Sequence, residues 1–259
     1  MSQILLVTGG SRGIGAAVCR RAAKEGYSVA VNFHRDLISA NYVVDDITND
    51  GGIAFTVQAD VSLEADIIRM FDEVTERLGA PSGLVNSAGV GGKHMLISDL
   101  EKIELDQPMQ VNVIGTMLCC REASRRMSTQ FGGSGGSIVN VSSMASTIGG
   151  RPGNSAYAAS KAAVDAFTVG FAKEIGTQGI RVNAVRPGVT LTDMTSTVRD
   201  NENVRKNIES TIAMQRTADA DEIAVPILWC LSDEASFISG CRLDASGGGF
   251  VTDASTSGK

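Results

Sequence analysis

Short apolar runs alternate along the chain with longer segments in which apolar side chains recur at helical spacing. The short runs, rich in β-branched residues, cover residues 4–7, 29–31, 53–59, 84–85, 138–141 and 182–185. Most of them are followed by a turn that contains Gly, Asn or Ser. Parallel strands need a crossover connection, which is usually a helix, so this alternation predicts repeated βαβ units and an α/β fold with a parallel sheet.

Two of these runs differ in their pattern of apolar residues. In residues 53–59 the larger apolar side chains alternate along the run, whereas residues 4–7 are apolar throughout. Alternation is typical of a strand with one solvated face, and a continuous apolar run is typical of a strand covered on both faces. We therefore predict an edge strand at 53–59 and a central strand at 4–7.

The sequence predicts one domain over residues 1–251. The Gly- and Ser-rich stretch 132–137 has the composition of an interdomain linker. It follows a helical segment at 113–131 and leads directly into the run at 138, which favours a surface loop between a helix and a strand. Residues 252–259 have no apolar periodicity, and we expect them to form a frayed tail.

Composition narrows the classes of function. The chain has 259 residues with 23 Lys and Arg against 29 Asp and Glu, a formal net charge of −6, which disfavours nucleic acid as a partner. No apolar run approaches the roughly 18 residues that indicate a membrane helix. The first residues lack the basic start of a signal peptide. We expect a cytoplasmic protein with no membrane partner.

Cysteine and histidine further restrict the chemistry. The five cysteines are odd in number and show no CxxC spacing, which favours buried thiols over disulfides or a zinc site. We predict no metal site. His34 and His94 are the only histidines, and their separation excludes an HExxH helix. Any catalysis must therefore proceed largely without imidazole.

A glycine-rich turn follows the first predicted strand. Residues 8–15 read TGGSRGIG, and Ile14, Ala17, Val18 and Ala22 then mark one face of a helix. A strand, a glycine-rich turn and a helix in this order direct backbone N–H groups and the positive end of the helix toward an anion. The pattern predicts a dinucleotide site, with a purely structural turn as the alternative. The predicted cofactor-binding residues here are Gly9, Ser11, Arg12, Gly13, Ile14 and Gly15.

The end of the second predicted strand indicates which dinucleotide is bound. An NAD site usually has an acidic residue about 20 positions after the glycines, but residues 31–35 read VNFHR. A neutral Asn32, with Arg12, His34 and Arg35 nearby, offers cations to a 2′-phosphate. We therefore predict NADP(H) in preference to NAD(H). The alternative is that these arginines are ordinary surface charges.

Tyr157 and Lys161 lie four residues apart in a segment of helical character, so they share one helix face. A free phenol has a pKa near 10. A neighbouring ammonium favours the phenolate and lowers that pKa, which makes the phenol an acid or base suited to a carbonyl or alcohol oxygen. Taken alone, such a pair is more often an ordinary pair of exposed residues.

Several segments resemble the motifs of the short-chain dehydrogenase/reductase family. The turn at 8–15 resembles its TGxxxGxG motif, the NSAG sequence at 86–89 resembles NNAG, and the YAASK sequence at 157–161 resembles YxxxK. Asn112 and Ser143 resemble the family's catalytic asparagine and serine. The Pro187-Gly188 pair and Leu243-Asp244 resemble its PG motif and its last strand, so the resemblance covers most of the chain.

The resemblance implies a fold and a chemistry. The fold would be a single Rossmann-type doubly wound parallel sheet of about seven strands with helices on both faces. Tyr157 would be the general acid/base, and Lys161 would bind the nicotinamide ribose and lower the pKa of the phenol. Ser143 would bind the substrate oxygen, and Asn112 would hold a water that relays protons from Lys161.

The resemblance also implies further cofactor contacts. They fall on Asp60 and Val61 at the adenine, on Asn86, Ala88 and Gly89 at the ribose, and on Pro187, Gly188, Thr190 and Thr192 toward the carboxamide. Asn86 and Asn112 have the alternative of merely satisfying backbone groups. Ser142 competes with Ser143, which stands 14 residues before Tyr157, slightly more than is common in the family.

The predicted function is an NADP(H)-dependent oxidoreductase that interconverts a ketone and a secondary alcohol, with residues 190–216 as a lid over the substrate. Within the family, the chain resembles bacterial 3-oxoacyl-thioester reductases and sugar dehydrogenases. The alternatives are an NAD-preferring dehydrogenase and a catalytically silent nucleotide-binding sensor or scaffold. Family members are commonly homotetramers, so we expect the helices near 113–131 and 156–174 to form an interface.

Overall fold

Seven parallel strands form one sheet at the centre of the protein. The computed structural model describes residues 3–249, so the predicted tail at 252–259 lies outside the described residues. The sheet order is β3-β2-β1-β4-β5-β6-β7, and every pairing is parallel. The strands are β1 (Ile4–Thr8), β2 (Ser28–Phe33), β3 (Ala54–Gln58), β4 (Gly83–Asn86), β5 (Gly136–Val141), β6 (Ile180–Pro187) and β7 (Arg242–Ala245). The expected doubly wound sheet is confirmed.

Helices cover both faces of the sheet, as parallel strands require. They are α1 (Gly13–Lys24), α2 (Leu37–Asn49), α3 (Glu64–Leu78), α4 (Lys102–Pro108), α5 (Thr116–Met127), α6 (Ala145–Ile148), α7 (Ser155–Ile175), α8 (Ser196–Asp200), α9 (Glu202–Glu209) and α10 (Ala220–Leu231). One apolar core joins the sheet to α1, α2 and α10, and a second joins it to α3, α5 and α7.

Strand β1 shows how the sequence divides its side chains between the two cores. Leu5 and Val7 pack in the core with α1, whereas Ile4 and Leu6 pack in the core with α3 and α5. Successive side chains of a strand point to opposite faces, so a strand covered on both faces must be apolar at every position. The prediction of a central strand here is confirmed, and β3 lies at the sheet edge as predicted.

Irregular helical segments connect several of the main elements. A π-helix at Met109–Gly115 joins α4 to α5, so the predicted continuous helix at 113–131 is in fact a π-turn, α5 and a final 3₁₀ turn at Thr129–Phe131. Further 3₁₀ turns occupy Ile97–Asp99, Gly176–Gln178, Asp193–Thr195 and Asp233–Ala235. Residues 132–135 form the predicted loop between the 3₁₀ turn at Thr129–Phe131 and β5, and residues 136–137 already belong to β5.

The predicted lid begins after β6. Within residues 190–216 the side chains of Ile208 and Ile212 are buried, whereas Met194 and Met214 are exposed. Gln215 is the one non-glycine residue of the described chain with a positive φ, +53°. The segment of the predicted lid therefore packs through these isoleucines and leaves these methionines at the surface.

The cysteines of the described chain are all free thiols, and all but the half-buried Cys241 are buried. Burial raises the pKa of the Cys120 thiol to about 12, which makes it an apolar packing group rather than a nucleophile. No helix among residues 3–249 is long and apolar enough to cross a membrane.

Candidate active site

The predicted site residues converge at the carboxyl edge of the sheet. In the strand order, β1 and β4 are neighbours whose chain connections run in opposite directions across the sheet. Ligands of open α/β sheets bind in the crevice at such a switch point. The glycine turn after β1 and residues 86–89 after β4 line this crevice, and the ends of β5 and β6 continue it.

The glycine turn depends on close backbone approaches. Gly9 has a φ of +63°, and a Cβ at this position would lie 2.8 Å from the Ala88 Cα. A Cβ on Gly15 would lie 2.3 Å from the Gly9 carbonyl oxygen. Both positions exclude any side chain, so the turn folds back on itself and against β4 only because these residues are glycines.

The N-terminus of α1 is open to an anion. Arg12 is the N-cap residue, no described side chain caps the helix, and no acidic residue lies in its first turn. The first N–H groups of a helix have no partners within the helix. A Cβ on Gly13 would lie 3.3 Å from the Thr192 Cγ2, so the start of the predicted lid covers this turn. The turn therefore fits a pyrophosphate.

Asn32 has a different place from the one predicted. Its side chain is buried, its Oδ1 accepts from the Gly9 N–H at 3.1 Å, and its Nδ2 donates to backbone carbonyls that include those of Val57 and Ala59 at 3.2 Å. With all its capacity used inside the protein, Asn32 presents no group to a 2′-phosphate. It instead holds the glycine turn against the ends of β2 and β3.

The charges around the end of β2 are also arranged differently from expectation. His34 Nε2 lies 3.3 Å from the Asp60 carboxylate, so these two predicted cofactor residues pair with each other. Arg12 and Arg35 are exposed. Asp36 accepts from the Ser39 N–H and hydroxyl as the cap of α2, and these bonds lower the pKa of its carboxyl. Arg12 and Arg35 are thus the exposed arginines among the predicted cofactor residues.

Thr8 is a site residue that the sequence analysis did not select. Its Oγ1 accepts from the N–H groups of Ser87 and Ala88 at 3.1 and 3.2 Å. Asn86 donates to Asn140 Oδ1 at 2.9 Å, and its own Oδ1 is buried without a partner among residues 3–249. Thr8 and Asn140 therefore fix the turn after β4. Thr8 and Asn86 are polar residues at the ends of otherwise apolar strands, and this pattern in the sequence could have indicated their role.

Asn112 lies in the π-helix and holds the chain that follows β4. Its Oδ1 accepts from the Val90 N–H at 2.8 Å, and its Nδ2 donates to the Val90 carbonyl at 2.9 Å and to Ser160 Oγ at 3.0 Å. The amide is thereby satisfied by protein groups, so the predicted water relay has no free side-chain atom here and would depend on backbone groups. A Cβ on Gly115 would lie 2.5 Å from the Val61 carbonyl oxygen, which seats the π-helix on the loop after β3.

The predicted catalytic side chains lie together. Lys161 is buried, and its Nζ donates to the Val141 carbonyl at 2.8 Å. The same Nζ lies 5.8 Å from the ring centroid of Tyr157 and 3.5 Å from the position of a Cβ on Gly89. Helix α7 thus presents the phenol and the ammonium beside the turn that follows β4.

The titration of this pair differs from the sequence-based expectation. Burial raises the pKa of Tyr157, and the lowering influence comes from the Ser143 hydroxyl rather than from Lys161. Burial also lowers the pKa of Lys161 to about 8, against the opposing effect of Asp165. Lys161 does not lower the pKa of Tyr157 because its ammonium group points to the Val141 carbonyl. The phenol is therefore protonated at neutral pH.

The geometry distinguishes between the two candidate serines. Ser142 is buried, and its hydroxyl donates to the Lys161 carbonyl at 3.2 Å. Ser143 is only partly buried and is the residue beside the Tyr157 phenol. The position of Ser143 therefore favours it for contact with a substrate.

The end of β6 completes the edge. The Pro187 carbonyl accepts from the Met144 N–H at 3.0 Å, which ties the PG motif to the serine loop. Thr190 is buried and donates from its Oγ1 to the Gly188 carbonyl at 3.2 Å. Thr192 lies against Gly13 of the glycine turn, and its contact with a carboxamide stays a prediction.

Comparison with known proteins now identifies the family. The family described as Enoyl-(Acyl carrier protein) reductase matches residues 9–249. A short-chain dehydrogenase/reductase of Serratia marcescens superposes with a TM-score of 0.88 at 30% identity, covering 95% of this chain and 97% of that one. The chain belongs to the short-chain dehydrogenase/reductase family.

Two curated relatives within this family cover nearly the whole chain. The oxidoreductase YgfF of Escherichia coli K12, itself described as uncharacterized, is 44% identical over 95% of this chain and 99% of its own length. The 3-oxoacyl-[acyl-carrier-protein] reductase FabG of Staphylococcus aureus Mu50 is 34% identical over 97% of this chain and 99% of its own length. The chain is an oxidoreductase of this family.

The buried Lys161 makes stability depend on pH. The folded protein releases the Lys161 proton near pH 8, whereas the unfolded chain keeps it to about pH 10.4. In that window the folded state binds fewer protons, so stability rises with pH. We predict that the unfolding free energy of wild type relative to Lys161→Met increases by about 3 kcal/mol between neutral pH and the unfolded pKa. Urea unfolding across this range measures it.

The matched control is Lys173→Met, on an exposed part of the same helix. Its difference from wild type should stay constant over the same range. A Lys161→Met difference that is equally constant would contradict the prediction.

Proposed function

We propose that this chain is an NADP(H)-dependent oxidoreductase that interconverts a ketone and a secondary alcohol, with Tyr157 as the general acid/base. The observation that carries the proposal is the grouping of Ser143, Tyr157 and Lys161 beside an uncapped, glycine-rich helix N-terminus. The FabG relative is named a 3-oxoacyl-[acyl-carrier-protein] reductase, which supports reduction of a ketone.

The residues of the crevice fit a dinucleotide. The N–H groups of residues 11–15 would hold the pyrophosphate, and the turn at Ala88 and Gly89 would line the ribose in front of Lys161. A bound nicotinamide supplies or accepts the hydride. The protein then has to orient the substrate and handle one proton.

The proton would pass through Tyr157. Because burial raises its pKa, the phenol holds its proton at neutral pH and can donate it to a carbonyl oxygen during reduction. The Ser143 hydroxyl, beside the phenol, would donate a hydrogen bond to the same oxygen. Lys161 would bind the ribose hydroxyls as an ammonium. Asn112 would hold the backbone of Val90, and with it the turn at Gly89 in front of Lys161.

The preference for NADP(H) rests on the charges at the end of β2. Arg12 and Arg35 are exposed there, Asp36 caps α2, and Asp60 pairs with His34. A 2′-phosphate would meet guanidinium groups, which bind phosphate in a fixed fork geometry. Neutral Asn32 contributes by placing no carboxylate at this position.

The wider setting belongs to the same proposal. We infer a cytoplasmic homotetramer that uses the helical faces within 113–131 and 156–174, and static light scattering gives the mass that tests it. The substrate would be a small ketone or alcohol covered by the segment at 190–216, where Met194 approaches the Cβ position of Gly91 within 4.0 Å.

Removal of the phenol hydroxyl tests the chemistry. We predict that Tyr157→Phe lowers kcat for ketone reduction by at least about 100-fold, because general acid catalysis contributes that much or more. The dissociation constant for NADPH, measured by quenching of protein fluorescence, should stay within about threefold, since the ring itself is kept.

Tyr42→Phe is the matched control, because Tyr42 is exposed on α2 away from the site. It should leave kcat unchanged. An unchanged rate in Tyr157→Phe would remove Tyr157 from the mechanism, and wild type that binds NADPH but turns over no ketone in a broad panel would favour the sensor alternative.

Substitution of the arginines tests the coenzyme preference. We predict that Arg12→Ala and Arg35→Ala each raise KM for NADPH by about tenfold, the value of one charge-assisted hydrogen bond, and leave KM for NADH unchanged. Arg21→Ala is the control, because Arg21 is exposed on α1 and lies 3.6 Å from Glu25 on the surface. Equal kcat/KM for NADPH and NADH in wild type would contradict the preference.

A further inference from the structure

A buried carboxylate lies one helical turn beyond Lys161. Tyr157, Lys161 and Asp165 are spaced by four residues on α7 and therefore share one helix face. Asp165 is only 5% exposed. The predicted chemistry uses the first two side chains, but it assigns no role to the third.

The contacts of Asp165 are few for a buried charge. Its Oδ2 accepts from the Ser146 hydroxyl at 2.6 Å and lies 3.6 Å from Arg186 Nη1. Its Oδ1 is buried and has no hydrogen-bond partner in residues 3–249. Burial of a carboxylate is costly unless charge or hydrogen bonds compensate for it. One hydroxyl bond, which an amide could equally accept, does not explain why this position carries a charge.

Ser146 connects Asp165 to the predicted substrate contact. Its hydroxyl also lies 2.7 Å from the Ser143 carbonyl, and its N–H donates to that carbonyl at 3.0 Å. Asp165 thereby fastens the short helix α6, and with it the loop that carries Ser143, to the middle of α7. This link joins the Ser143 loop to the helix that carries Tyr157.

The charges around Asp165 explain the carboxylate. On α7, Lys161 faces it from one turn earlier, with Tyr157 a further turn away. From β6, Arg186 approaches it and also pairs with Asp244 of β7 at 2.5 Å. The β5 and π-helix groups facing Lys161 are neutral: the Val141 carbonyl, and Asn112 beside Gly89. Asp165 thus has the buried Lys161 one turn earlier on its own helix and the partly buried Arg186 at 3.6 Å from β6.

We propose that Asp165 is a positioning residue of this site: its carboxylate keeps Lys161 as an ammonium next to Arg186 and holds the Ser143 loop on α7 through Ser146. The inference rests on the proposed function for its catalytic consequence. In support, the carboxylate opposes the effect of burial on the pKa of Lys161.

The charge-neutral variant Asp165→Asn tests the electrostatic role. In wild type, kcat/KM for reduction should fall as Lys161 loses its proton, near pH 8. In Asp165→Asn this alkaline limb should move to lower pH by roughly one unit, the usual effect of removing an opposite charge. A limb at the same pH as in wild type would overturn the proposal.

Ser146→Ala is the matched variant, because it removes the link to Ser143 and leaves the carboxylate. It should lower kcat while the alkaline limb stays in place, whereas a role confined to folding would reduce the active fraction alone. A Ser146→Ala variant with wild-type kcat would refute the positioning of the Ser143 loop.

Arg186→Gln provides a test with the opposite sign, should Asp165→Asn fail to fold. Without Arg186, Lys161 is the remaining cation that interacts with the Asp165 carboxylate. The pKa of Lys161 should rise, and the alkaline limb should move to higher pH. An unmoved limb, or a shift to lower pH, would contradict the charge arrangement.

A readout without turnover separates this proposal from the proposed function. The difference in unfolding free energy between a protein with Lys161 and its Lys161→Met counterpart rises with pH from the folded pKa of Lys161. In the Asp165→Asn background this rise should begin at lower pH than in wild type. If wild type reduces no ketone but the rise in unfolding free energy begins at lower pH in Asp165→Asn, only the proposed function is wrong. If the rise begins at the same pH in both backgrounds, the proposed role of Asp165 is wrong.

Discussion

The structure at this site depends on the burial of one ammonium group at the carboxyl edge of a parallel sheet. Lys161 is 6% exposed and gives a hydrogen bond to the last residue of β5. Such a charge is tolerated only where carbonyl oxygens and a counter-charge surround it. The Val141 carbonyl meets part of that need, and in our proposal the Asp165 carboxylate supplies the counter-charge. Tyr157 lies one turn before Lys161 on the same helix.

A second constraint acts on the glycine turn. Its backbone is held by side chains from distant parts of the chain, because Asn32 binds the Gly9 N–H and Thr8 binds the N–H groups of the turn after β4. Within residues 3–249 no side chain caps the start of α1, so its first N–H groups can bind an anion.

The sequence predicts the architecture well because the architecture follows from local pattern. Strand β1 is apolar from Ile4 to Val7 and β3 alternates, which locates them at the centre and the edge of the sheet. The glycines of the turn and the spacing of Tyr157 and Lys161 are likewise local features.

Long-range contacts between side chains could not be predicted from such local patterns. Asn32 binds carbonyls 25 and 27 residues away, and His34 reaches Asp60. A single polar residue in the run at 29–33 was the signal for Asn32, and Asp165 in an otherwise apolar stretch of α7 was the signal for the charge beside Lys161.

The central claim is that the glycine turn and the Tyr157 group act on one bound nucleotide. A crystal structure of the complex with NADP⁺ tests it most directly. The account predicts the pyrophosphate at the N-terminus of α1, the 2′-phosphate at Arg12 and Arg35, and the nicotinamide C4 on the side of the Tyr157 hydroxyl, with room for a substrate carbon about 3.5 Å away. A nucleotide bound elsewhere, or a nicotinamide whose C4 faces away from Tyr157, would contradict it.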